Sequence, residues 1–97
     1  MNQRRTSLFY MANLGSEVMR LQSARGKPLD AQASLSRCMS ILNEYEKTET
    51  TPSRKPEISM LRRVLADFGE GKGEFDVTED ELEDYFMPFA RRFLAMH

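Results

Sequence analysis

TEDELEDYFMPFARRFLAMH, residues 78 to 97, is the stretch whose reading decides the fold of this chain. The Thr78 hydroxyl can accept from the first free amides of a helix, and Glu81, three residues on, can reach back to the amide of Thr78, the pattern of a capping box. Leu82, Tyr85, Phe86, Phe89, Phe93 and Met96 then recur at three- and four-residue steps, which puts all six on one side of a helix. Met87, Ala90 and Leu94 widen the apolar arc beyond what a surface helix with one core-facing stripe needs. The helix is therefore expected either to be the central one or to meet a partner. Pro88 has no N–H for the Asp84 carbonyl and restricts Met87, so a kink is expected there. Because Leu82 and Phe93 keep one phase across it, a single kinked helix over residues 79–96 is favoured over two.

Upstream, three more helices read out of the pattern. The first, about 7–25, opens at Thr6 or Ser7 as N-cap and stops at Gly26-Lys27-Pro28. Met11, Leu14, Val18 and Leu21 repeat with the three-then-four step of a helix–helix seam, and Gly15 and Ser16 beside it permit close approach. The second, about 30–47 with Asp30 as N-cap, carries Ala31, Leu35, Cys38, Leu42 and Tyr45 on one stripe and Gln32, Ser36, Arg37, Ser40 and Glu44 opposite. The third, about 57–68, has Pro56 in its first turn, Gly69 just past its end, and Ile58, Leu61, Val64, Leu65 and Phe68 as a buried edge. Phe75 and Val77 precede the last helix as candidate staple residues. Residues 47–56 and the glycine run 69–73 read as exposed connections. With no strand pattern, the expected fold is all-α: one domain over 1–97, a small antiparallel up-down-up-down four-helix bundle.

Ninety-seven residues with 40% hydrophobic content support one modest core. The net charge of −1 argues against a general nucleic-acid coat protein, yet it hides a division. Through residue 66 there are eleven Lys/Arg against six Asp/Glu, and from 67 onward three against nine. The lone Cys38 has no internal disulfide partner and is read as a buried, inert thiol, consistent with a reducing compartment. No apolar run is long enough to span a membrane. The start, Arg4 to Ala12, is interrupted by Asn13 and Glu17 before an export signal forms, so a cytoplasmic protein is expected.

Chemistry-bearing motifs are few. The glycines at 69, 71 and 73 lack the Gly-Lys-Ser/Thr ending and the preceding strand of a phosphate-binding loop. Asp76, Thr78, Asp80 and Asp84 lack the turn glycine of a calcium loop and suit a helix N-terminus instead. No catalytic residue, metal site or cofactor is assigned. Arg92 and His97 spell Arg-x-x-x-x-His, which resembles the active motif of the HEPN group of small helical ribonucleases. That resemblance covers six residues, lacks the polar residue that commonly follows the Arg, and implies a ribonuclease using Arg92 and His97.

In an alternating bundle one end collects Arg4, Arg5, Lys47, Arg54, Lys55, Arg91 and Arg92, and the other most of the acids. Arg4-Arg5 and Arg54-Lys55 precede helix N-termini, where positive charge is unfavourable unless an anion sits between the amides and the side chains. These four are the anion-binding candidates. The leading reading is a non-enzymatic interaction or regulatory protein. It is expected to form a homo-oligomer or bind a protein partner through Tyr85, Phe86, Met87, Phe89, Phe93 and Leu94, its seven methionines suiting adaptable packing. The alternative is a nucleic-acid-associated regulator using the same basic end with Arg62 and Arg63, and with Phe9 and Tyr10 as the nearest aromatics.

Overall fold

Helices supply all the regular structure in the computed structural model, which describes residues 6–95: α1 (Ser7–Ser23), α2 (Pro28–Thr48), α3 (Lys55–Glu70) and α4 (Glu79–Ala95), with a 3₁₀ turn over Pro52–Arg54 before α3. The all-α four-helix reading holds. Thr6 caps α1 by accepting from the Phe9 amide at 3.1 Å. The capping box of α4 forms both ways: Glu81 N donates to Thr78 Oγ1 at 3.1 Å, and Thr78 N donates to Glu81 Oε1 at 3.0 Å.

Two boundaries shift for identifiable reasons. Pro28, expected to end the first connection, instead starts α2 in the first turn, where its missing N–H costs nothing, so Asp30 is inside the helix and not its cap. Gly69 does not end α3. The helix runs on to Glu70, and Gly71, at φ 72°, takes the left-handed cap position. Gly69 is small because Leu35 lies over it; a Cβ there would meet Leu35 Cδ2 at 3.1 Å. Pro88 lies inside α4, which continues on both sides of it.

The central helix is α1, not α4. Met11, Leu14, Val18 and Leu21 are all at most 1% exposed, whereas α4 buries only Leu82 and Phe86. α1 packs against α2 along one side and α4 along another, and α2 packs against α3. At one end of the α1–α4 pair, Gln22 Nε2 donates to the Glu79 carbonyl at 3.2 Å and Arg25 pairs with Glu79 at 3.6 Å. At the other end the Phe9 and Phe93 rings meet edge-on at 5.8 Å. Between them Gly15 lets Phe86 press on the α1 backbone, since a Cβ at Gly15 would lie 3.0 Å from Phe86 Cβ. The Cα traces of α3 and α4 never approach within 8 Å among the described residues. Side chains cross that seam instead: the Tyr85 hydroxyl donates to Glu57 Oε1.

A branched side chain at Gly15 forces α4 away from α1. Gly15→Val is expected to lower unfolding stability in urea by about 2 kcal/mol, within the range for overpacked cores. Phe86→Ala alone is expected to cost about 3–5 kcal/mol. In the Phe86→Ala background Gly15→Val should cost far less, because the two residues share one contact.

Candidate functional site

Two surface features stand out from the packing. The first is a groove between α1 and α4. Ala12, Gly15 and Ser16 keep the α1 side low, and Glu83, Met87 and Ala90 form the α4 side. It widens into a cavity of about 330 Å³ near Phe9, Asn13, Phe93 and Leu94. Leu94 is 72% exposed and Met19 51% exposed, so the groove has an uncovered apolar rim.

The six expected interface residues divide here. Phe86 is buried against Gly15 inside the monomer, and Tyr85 is half-buried with its hydroxyl on Glu57. Burial and that hydrogen bond hold the Tyr85 phenol above its ordinary value, so it stays protonated. Phe89 packs partly on the core and meets the Tyr85 ring at a tilt, with centroids 5.7 Å apart. Met87, Phe93 and Leu94 remain at the groove.

The second feature is a depression of about 560 Å³ where α1 meets the start of α2, lined by Arg20, Lys27, Asp30, Ser34 and Arg37 among others. Beneath it lies Glu17, 5% exposed, which the sequence reading used only as an interruption of the first apolar run. Its Oε1 accepts from Arg37 Nε at 2.6 Å and its Oε2 from Arg20 NH1 at 3.3 Å. Arg37 NH2 also donates to the buried Ser34 Oγ at 3.1 Å. The available signal was helical phase: Glu17 sits between Leu14 and Val18 on the seam, where a carboxylate must find a cation.

At the expected basic end, Arg4 and Arg5 lie outside the described residues. Arg54 donates through NH1 to both oxygens of Glu57, at 3.2 and 3.1 Å, and that carboxylate raises its pKa. Lys55 is exposed as the first residue of α3. Glu49 is held below the ordinary carboxylate value by hydrogen bonds with Thr51 and, more weakly, Ser7. Arg62 is taken by Asn43 Oδ1 at 2.7 Å and Glu46 Oε1 at 2.6 Å, and Arg63 lies over the Phe75 ring at 5.3 Å. That contact draws Phe75 toward α3, while Val77 packs on the core near the start of α4. Of the ribonuclease-like pair, His97 lies outside the described residues and Arg92 rests over the Phe89 ring at 5.4 Å.

The glycine connection after α3 is tied down by Asp67, 6% exposed, whose carboxylate accepts from Glu74 N at 2.8 Å and Phe75 N at 3.2 Å. The loop's amides thus serve an internal anion. No group of three His, Cys, Asp or Glu residues able to hold a metal gathers among the described residues, and no helix there is long and apolar enough to cross a membrane. Comparison with protein-family models, curated proteins and solved structures returns no match for this chain.

Cys38 is fully buried, and loss of solvent, reinforced by the nearby Glu17 charge, pushes its thiol from 9.0 up to about 12. The unfolded chain releases this proton above pH 9 while the folded chain retains it, so the stability involved is intact below pH 9 and declines as pH rises toward 12. Tyr45 and Tyr85, both raised from 10.0, add the same trend only at higher pH. Urea stability is therefore expected to begin falling between pH 9 and 10, and Cys38→Ala should flatten the profile in that interval.

Proposed function

We propose that this chain is a non-enzymatic interaction protein that self-associates through the outer face of α4 and the groove between α4 and α1. The observation that carries the reading is the uncovered apolar rim of that groove, with Leu94 72% and Met19 51% exposed beside the small residues Ala12, Gly15 and Ser16. Large apolar side chains at a shallow groove lose unfavourable hydration when a second surface covers them.

Charge supports a second copy as the occupant. At 100° per residue, Asp80, Glu83, Asp84, Met87, Ala90, Arg91 and Leu94 share the outward arc of α4. Acids occupy its first half and Arg91 its second. Two copies of α4 laid in opposite directions about Met87 set Arg91 of each chain against the partner's Glu83, while the methionines meet at the centre. Met87 adapts to such a contact because its side chain is unbranched and flexible. A reducing, cytoplasmic setting belongs to the same proposal, since the lone cysteine is a buried thiol.

Sedimentation equilibrium over a range of concentrations tests this. The wild-type chain is expected to approach twice its 11.2 kDa mass as concentration rises. Leu94→Glu should abolish the association. Arg91→Glu and Glu83→Arg should each weaken it about tenfold or more by placing like charges together, and the double variant should recover most of the loss. A monomer at all concentrations, or a double variant no better than the singles, would remove the proposal.

A further inference from the structure

We propose that the depression between α1 and the start of α2 binds an organic phosphate, with the phosphate monoester held by Arg20, Arg37 and Lys27. It shares Met19 and Gln22 with the α1–α4 groove, but its three cations lie outside that groove.

The depression measures about 560 Å³, within the size range of small-molecule sites. Arg20 from α1, Arg37 from α2 and Lys27 from the connection between them line it against the single carboxylate of Asp30, with Glu17 below. The buried carboxylate of Glu17 grips both guanidiniums, Arg37 through Nε and Arg20 through NH1, and the buried Ser34 hydroxyl fixes a second nitrogen of Arg37. Each guanidinium carries five N–H donors in a planar fork, so both retain donors that the protein does not use. Glu17 is buried, but the Arg37 and Arg20 side chains are 52% and 69% exposed, so their guanidiniums are not sealed inside the protein. The ion pair orients two forks at the same cavity, and planar forks match phosphate oxygens in a way a lysine surface does not.

Two further features fit the ligand class. α2 begins here at Pro28 with no side-chain cap on its first amides, so its positive end reinforces an anion near Lys27. Met19, Ala24 and Ala33 provide an apolar margin for the organic part of the ligand. Asp30 opposes a second anionic group on its side of the depression, which favours one phosphate over a polyphosphate chain.

The full chain can be titrated with phenyl phosphate and with inorganic phosphate at constant ionic strength, following ¹H–¹⁵N NMR signals. Saturable shifts are expected at the Nε–H groups of Arg20 and Arg37 and at amides of residues 19–24 and 27–37, with phenyl phosphate the tighter ligand. Arg20→Gln and Lys27→Gln should each weaken binding about tenfold, the loss expected for one charge-assisted contact. Lys27 lies in the exposed connection, so its substitution tests the site without touching the Glu17 cluster. Shifts that never saturate and spread over all surface cations, or affinity unchanged in Lys27→Gln, would overturn the proposal. Equal affinity for the two phosphates would overturn its organic half.

Discussion

The backbone of α1 at Gly15 carries the ring of Phe86 directly, and the arrangement of the other helices follows from that contact. With no Cβ in the way, α4 settles close along one side of α1, leaving another side for α2. Leu14 and Val18 can then be sealed from both directions. An all-large seam on α1 would have held α4 further off and left Leu82 and Phe86 without a surface to bury against. The same closeness leaves the outer margin shallow, because Ala12, Gly15 and Ser16 build no wall.

On the far side the bundle is less tightly closed. Backbones of α3 and α4 stay apart, and the gap is bridged by Tyr85 reaching Glu57, which is held in turn by both contacts of Arg54 NH1. A phenol, a carboxylate and a guanidinium satisfy one another at the edge of the core where ring packing alone leaves polar atoms exposed. The consequence for function is that Tyr85 and Arg54 each have an internal task.

Two buried carboxylates and one half-buried carboxylate organise polar groups that apolar packing would not place. Glu17 pins Arg20 on its own helix and Arg37 across the α1–α2 interface. Asp67 collects the amides of the turn after α3. Glu57, half-buried, joins α3 to α4 through Tyr85. Among the described residues, no buried side-chain nitrogen or oxygen is left without a hydrogen-bond partner. Such completeness matters because a partly satisfied polar cluster in a low-dielectric interior costs more than an apolar one.

The sequence by itself determined the four helices and the N-terminal caps of α1 and α4, because these depend on local spacing: the Thr78–Glu81 box, the Thr6 cap and the seam from Met11 to Leu21 involve residues within one or two turns of each other. It also marked Cys38 as a core thiol, since its stripe neighbours Leu35 and Leu42 fix its face. The tertiary structure alone decided which helix is central. Periodicity measures how wide an apolar arc is, not how much of it neighbours cover, so the wide arc of α4 left open whether it is central or meets a partner, and the central helix is α1, with its buried glutamate. For Glu17 the phase on the seam was legible, but its partner was not: Arg37, twenty positions away, is brought to it only by the packing of α2 on α1. Whether Phe86 faces a partner or the core was likewise settled by Gly15, seventy-one residues earlier, through a contact no local pattern encodes.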